Sequence, residues 1–495
     1  MISACGNPRL LIFSKSLKLN PNMKNNLFAE FQKVSKDEWV NLAIKDLKGK
    51  DFQKTLVTNA PDGIDLFPFY TEEDSHDLGF LKKFRNRLNV PSEIPGTGPR
   101  FWSNVHAVRV NDEKADNKNI LKALMGGADA LLLDLKGKVD FEILLSEVDV
   151  RYIEVYLRVE NEITERTLDF FNWMERSDFS NNDLKGGLLW DPMTSCLESK
   201  CLKQDQLDIA EKLLQIGIKF PSFRLISVDA AHYHDCGASP VQQLFLSLGG
   251  YIELMDGLTD RGILPVDILK KTILQGAAGS DFFLEIAKLR VFKIAFFELA
   301  ILYKEDFILE DVKLFASSSY WTKATSDVHT NMLRNTTEAM SAILGSCDAL
   351  WVRPHNEVID EIDSFSERMA RNISNILKEE CYLDKVLDPV AGTYFIECVQ
   401  AGIIDKVKRE LQILEEKGGW WVNFENHQLQ DLVKAARYTR LEEVKNAHKV
   451  KVGVNKYLLQ NEDPKNALEN WEEETWQLLP LRDGFLIEFP NLEKK

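Results

Sequence analysis

The feature that most constrains the fold is an alternation of short apolar, β-branched segments with longer amphipathic helical patterns. This rhythm is typical of parallel strands joined by right-handed helical connections. Eight strands over about 250 residues favour a closed barrel over an open sheet. The predicted strands are residues 104–110, 128–135, 152–159, 186–192, 223–230, 271–277, 312–319 and 348–354. The sixth has the weakest strand pattern. The predicted fold class is therefore an α/β (β/α)8 TIM barrel with an N-terminal extended arm and a C-terminal helical segment.

Composition divides the whole chain into four segments. We predict a disordered leader at residues 1–26, an arm rich in proline and glycine at 27–100, the barrel at 101–365, and a helical segment with a tail at 366–495. The leader carries four basic residues and no acidic one, which faintly resembles an organellar transit peptide. We favour the alternative that Met23 is the true initiator, although the sequence does not settle the start codon.

Charge and cysteine content restrict the function. A net charge of -16 disfavours binding to nucleic acid or to an anionic membrane. No apolar run approaches the roughly 18 residues of a membrane span. The seven scattered cysteines predict reduced, mostly buried thiols rather than a disulfide or zinc framework. We expect a cytoplasmic bacterial protein rather than a mitochondrial one.

The stretch "AHYHDCGAS", residues 231–239, follows the fifth strand at the barrel end where function resides. It contains His232, His234, Asp235 and Cys236, which are all able to bind metal or move protons. On an extended strand, residues two apart point to opposite faces, so the two histidines do not share an ion easily. We therefore expect one histidine to line the barrel mouth, the other to pack against a helix, and no metal site.

Two other features are ambiguous. Ser317, Ser318 and Ser319 end the seventh strand, where barrels usually place bulky residues toward the axis. They either leave room for an extended ligand along the axis or cap the following loop. Asp74 to Gly79 reads Asp-x-His-x-x-Gly, a cobalamin-binding pattern, but it lies in the arm without the flavodoxin-like context that such a site requires.

Several stretches together resemble the methylmalonyl-CoA mutase family. "NAPDGIDLFPFYTEEDS" resembles the family's N-terminal segment, and "AHYHDCGAS" is similar to a stretch that places His232 on the family's active-site histidine. Further similar stretches follow in the family's order, at residues 279–290, 331–345, 366–380, 385–397 and 452–457. The resemblance implies a barrel whose axis admits a coenzyme A tail, which the three serines would suit. It also implies radical rearrangement of methylmalonyl-CoA to succinyl-CoA with adenosylcobalamin.

Departures from the family pattern change the expected role. We expect no cobalamin module after the barrel, because the sequence stops at Lys495. "PRFWSNVHAVRVND" stands where the family has a segment whose tyrosine and arginine contact substrate, and the tyrosine is missing here. "DPMTSCLESKCLKQD" replaces the family's Gln-Asn-Asp-x-x-Lys-Glu segment. The pattern resembles the non-catalytic small subunit of a heterodimeric family member. A large subunit would then hold the adenosylcobalamin and the acyl-CoA substrate. On this chain we expect no catalytic, cofactor-binding or metal-binding residue, with His232 a vestigial active-site position and Ser317, Ser318 and Ser319 along the axis.

Two alternatives stay open. One is a substrate-binding subunit of another acyl-CoA mutase, similar to isobutyryl-CoA mutase, that uses a separate cobalamin protein. The other is a regulatory acyl-CoA-binding protein.

Overall fold

The computed structural model describes residues 34–489 except 76, 86, 304–306, 360–361 and 459–470. His76 of the Asp-x-His-x-x-Gly pattern and the leader lie outside the described residues. The described residues fall into two compact units that divide between Thr58 and Asn59. In the first unit, α1 (Lys36–Asp46) starts with a capping box between Ser35 and Glu38, and Asp51 caps α2 (Phe52–Leu56). The boundary falls in β1 (Thr58–Ala60).

The second unit continues with short elements of the arm and then the barrel. The arm contains β2 (Ile64–Leu66) and α3 (Gly79–Lys82). The barrel strands are β3 (Ser103–Val110), β4 (Ala130–Leu135), β5 (Glu154–Val159), β6 (Lys185–Leu188), β7 (Phe223–Arg224), β8 (Ile226–Asp229), β9 (Thr272–Ala278), β10 (Leu314–Ser318) and β11 (Ala349–Trp351). All pairings between them are parallel.

The nine strands amount to eight because β7 and β8 are two parts of the fifth. β7 pairs with β6 and β8 pairs with β9. The N–H of Leu225, between β7 and β8, donates to Lys271 O at 2.7 Å, and the N–H of Ser227 in β8 donates to Trp190 O at 2.9 Å. The fifth strand therefore bridges both ends of the sheet, and the predicted barrel is confirmed.

The helices follow the predicted connections. They are α4 (Glu113–Met125), α5 (Phe141–Leu144), α6 (Ile163–Arg176), α7 (Lys203–Ile216), α8 (Ala230–Asp235), α9 (Pro240–Asp260), α10 (Pro265–Lys270), α11 (Phe282–Leu302), α12 (Asn331–Leu344), α13 (Ser364–Glu379), α14 (Tyr394–Glu416), α15 (Gly419–Glu425), α16 (Gln428–Lys445) and α17 (Phe485–Glu488). α13 packs against β3 and α12, and α14 packs against α9 and α11. Within the part of the chain that the structure describes, no helix is both long and apolar enough to span a membrane.

The interior of the barrel is a packed core. Alternate side chains of each strand face the axis, and the others face the helices. The buried axis cluster consists of Val105, Ala130, Leu132, Tyr156, Leu189, Ile273, Phe315, Ala349 and Trp351. The rings of Tyr156 and Phe315 meet edge to face at 4.9 Å. These side chains fill the axis from opposite walls.

Candidate functional site

A cavity of about 720 Å³ opens at the C-terminal ends of the barrel strands. Its base is the upper part of the axis cluster, including Leu132, Leu189, Phe315 and Trp351. Its rim is polar and carries both signs of charge. The acidic and basic residues that line the cavity are Arg109, Asp134, Lys136, Arg158, Glu160, Asp191, Glu198, Asp229, His232, Asp235, Arg353 and Glu357.

The stretch that contains His232 is helical, so the expectation of an extended strand there is wrong. The fifth strand ends at Asp229, whose carboxylate accepts the backbone N–H of His232 at 2.9 Å and so caps α8. The helix directs the two histidines to different neighbours. His232 lines the cavity, whereas His234 lies in the interior.

Both ring nitrogens of His232 face acceptors. Nε2 lies 2.9 Å from the carbonyl of Leu478, and Nδ1 lies 3.1 Å from Glu198 Oε1. A carbonyl and a carboxylate only accept, so both nitrogens carry protons and the imidazole is cationic. Burial opposes this charge, but the neighbouring Glu198 carboxylate favours it and raises the pKa of His232. His232 is thus held between Glu198 and the carbonyl of Leu478.

The other members of the stretch have internal partners. His234 Nε2 and Ser319 Oγ are hydrogen-bonded at 2.8 Å, and burial together with the charge of Lys288 lowers the pKa of His234. Asp235 accepts from Tyr320 N at 2.9 Å and pairs with Arg353 at 3.1 Å. Among the residues described, no three histidine, cysteine, aspartate or glutamate side chains lie close enough to hold a metal ion.

The three serines have different surroundings. Ser317 lines the cavity. Ser318 Oγ accepts the backbone N–H of Arg353 at 2.9 Å, and Ser319 Oγ accepts that of Thr322 at 3.1 Å in addition to contacting His234. Ser318 and Ser319 therefore tie the loop after β10 to its neighbours.

Sequence reasoning missed a row of charges on three adjacent strands. Arg109 of β3, Asp134 of β4 and Arg158 of β5 are register partners. Arg158 Nε donates to Asp134 at 2.6 Å, and Arg109 lies 3.7 Å from Glu357. Aligning the ends of the predicted strands would have revealed this row, since register partners lie side by side.

The ring of Trp351 contacts two of the three arginines at the barrel mouth. The guanidinium groups of Arg158 and Arg353 lie 4.9 and 4.4 Å from the ring centroid of Trp351, within the range of cation–π attraction. Arg353 also pairs with Asp235 and Glu357. All three mouth arginines thus have carboxylate partners.

One pair of cysteines differs from the prediction that the thiols are reduced. Cys196 and Cys201 form a disulfide with their Cα atoms 5.4 Å apart, whereas the sequence predicts reduced thiols. This Cα separation lies within the usual range for such a bond.

The comparisons agree with the resemblance described above. The family model described as methylmalonyl-CoA mutase matches residues 133–478, more than half of the chain. The methylmalonyl-CoA mutase small subunit of Porphyromonas gingivalis is 31% identical over 450 residues, covering 88% of this chain and 71% of the relative. The small subunit of Streptomyces virginiae is 28% identical, covering 75% of this chain and 62% of the relative. Methylmalonyl-CoA mutase of Rhizobium meliloti is 26% identical, covering 88% and 66%.

This chain therefore spans between 62% and 71% of the length of these three relatives. Among solved structures, a dihydropteroate synthase of Xanthomonas albilineans aligns with 56% of this chain and 91% of its own, at 12% identity and a TM-score of 0.28. That likeness is too low to bear on function.

Proposed function

Since this chain belongs to the methylmalonyl-CoA mutase family, we propose that it is the non-catalytic small subunit of a heterodimeric, adenosylcobalamin-dependent methylmalonyl-CoA mutase. In this role it supports a large subunit that interconverts methylmalonyl-CoA and succinyl-CoA. The names of the Porphyromonas gingivalis and Streptomyces virginiae relatives support a small-subunit assignment. We propose a cytoplasmic, one-to-one complex.

The single observation that carries the non-catalytic role is the filled axis. In catalytic members, as the resemblance implies, the coenzyme A tail threads the barrel axis. In this chain Tyr156, Phe315 and Trp351 are buried there, with exposed fractions of 3, 3 and 6%. A tail entering along the axis would have to displace all three aromatic side chains.

The charge pairs at the barrel mouth also support a non-catalytic role. A thioester substrate brings a carboxylate and phosphates, which need cations. Arg109, Arg158 and Arg353 already pair with Glu357, Asp134 and Asp235. An anion bound by one of these three arginines would compete with the carboxylate that already pairs with it.

The described residues around His232 do not fit a bound cobalamin. The backbone of Leu478 occupies Nε2 of His232, and Pro480 lies on the rim of the cavity. We therefore assign adenosylcobalamin and acyl-CoA binding to the large subunit and derive no chemical step on this chain.

Titration calorimetry of the isolated chain with succinyl-CoA tests the non-catalytic role. We expect no binding tighter than about 1 mM, which corresponds to about -4 kcal/mol. A thermal melt of the same sample serves as the control that the chain is folded. Micromolar affinity would contradict the proposal and favour a substrate-binding subunit or a regulatory acyl-CoA-binding protein.

A further inference from the structure

The C-terminal residues 471–489, here called the tail segment, lie across one side of the barrel mouth. The carbonyl of Leu478 accepts from His232 and, at 3.4 Å, from the thiol of Cys236. The N–H of Leu481 donates to Asp235 O at 2.8 Å, and the N–H of Asp483 donates to Trp321 O at 2.9 Å. The tail segment thus covers the end of the fifth strand.

The loop between Cys196 and Cys201 also contacts the tail segment. Leu478 N–H donates to Leu197 O at 2.9 Å, and the side chain of Gln477 donates to Glu198 O at 3.1 Å. The ammonium of Lys200 lies 5.6 Å from the ring of Trp476. All three contacts come from residues between the two cysteines.

The same loop also positions His232. Glu198 reaches from it to His232 Nδ1, while His232 Nε2 donates to the tail segment. Burial alone would raise the pKa of Glu198, but the hydrogen bond and charge of His232 lower it instead. Loop, histidine and tail segment therefore form one connected unit.

We propose that the Cys196–Cys201 disulfide is a reversible latch that sets how firmly the tail segment closes the barrel mouth. The disulfide limits the conformations of the loop, and the loop carries the contacts to Trp476, Gln477 and Leu478. Reduction frees the loop, so these contacts form in a smaller fraction of molecules.

The chemistry is thiol–disulfide exchange with a cellular dithiol. Cys196 is buried and Cys201 is half-buried, so the dithiol attacks the sulfur of Cys201. The S–S bond breaks, and Cys196 leaves as a thiolate that takes a proton. The second thiol of the reductant then displaces Cys201, giving two protein thiols and one oxidised dithiol. Two electrons and two protons pass to the protein, and an oxidised dithiol reverses the step.

Hydrogen exchange of the full chain, read by mass spectrometry, tests the latch. Alkylation in denaturant without reductant, which exposes the buried free thiols of Cys236 and Cys347, should leave two of the seven cysteines unmodified. Reduction with dithiothreitol should accelerate exchange at residues 476–478 by roughly tenfold. Residues 482–488 should change less than about twofold, because the buried pair of Arg482 and Glu488 holds them independently.

Cys201→Ser should reproduce the fast exchange without reductant, and Cys381→Ser, which removes an exposed free thiol, should behave as the unmodified chain. Reduction of the unmodified chain keeps the test decisive if Cys201→Ser folds poorly. Alkylation of all seven cysteines without reductant would overturn the latch. Unchanged exchange at 476–478 after reduction would overturn it as well.

Discussion

Replacing Glu338 with alanine is expected to lower the free energy of unfolding by about 3–5 kcal/mol. Glu338 is 1% exposed and accepts from Lys323 Nζ at 2.5 Å, from Thr322 Oγ1 at 2.5 Å and from Ser319 N at 3.0 Å. Its removal leaves the ammonium of Lys323, itself 2% exposed, buried without a counter-charge. The loop after β10 then loses the carboxylate that anchors it.

Urea denaturation followed by tryptophan fluorescence measures this loss. The matched control is Glu298→Ala, which breaks an exposed pair with Lys83 whose side chains are 36 and 51% exposed. The control should cost less than about 1 kcal/mol. Equal losses for the two variants would show that Glu338 does not compensate Lys323.

Phe315→Ala is expected to cost about 3–5 kcal/mol, because it removes a buried aromatic ring from the axis. Phe315 is 3% exposed and forms the edge-to-face contact with Tyr156. The strands around it are tied by parallel pairings to β9 and β11, so the walls cannot collapse to fill the space. The variant should deepen the cavity at the barrel mouth, because Phe315 forms part of its base.

Tyr152→Ala provides the comparison. Because Tyr152 is 80% exposed, this substitution should lower the free energy of unfolding by less than about 1 kcal/mol. The same denaturation experiment applies to both variants. A Phe315→Ala loss as small as that of Tyr152→Ala would mean that the axis is loosely packed, and the main support for the non-catalytic role would fail.

The barrel was predictable because its strands are buried on both faces and read as short apolar runs. Even the sixth strand, which has the weakest strand pattern in the sequence, is β9, with seven residues. Its pattern is interrupted by Gln275 and Gly276. The structure explains the glutamine, whose side-chain amide donates to Ser227 Oγ at 2.7 Å between neighbouring strands.

The site was only partly predictable because its contacts are not local. His232 was identified from the sequence, but its partner Leu478 lies 246 positions away. The helix that carries His232 begins after Asp229, whose carboxylate caps it. The apolar strand pattern that runs up to Asp229 does not predict this cap. The row of Arg109, Asp134 and Arg158 needs the strand register, which periodicity alone does not fix.

The intact mass of the native complex tests the small-subunit role most directly. The chain would be tagged in its own host, purified gently and measured by native mass spectrometry, with absorbance to detect cobalamin. We predict a one-to-one assembly with a longer chain that carries bound cobalamin. A homodimer, or this chain alone, would contradict the proposed role.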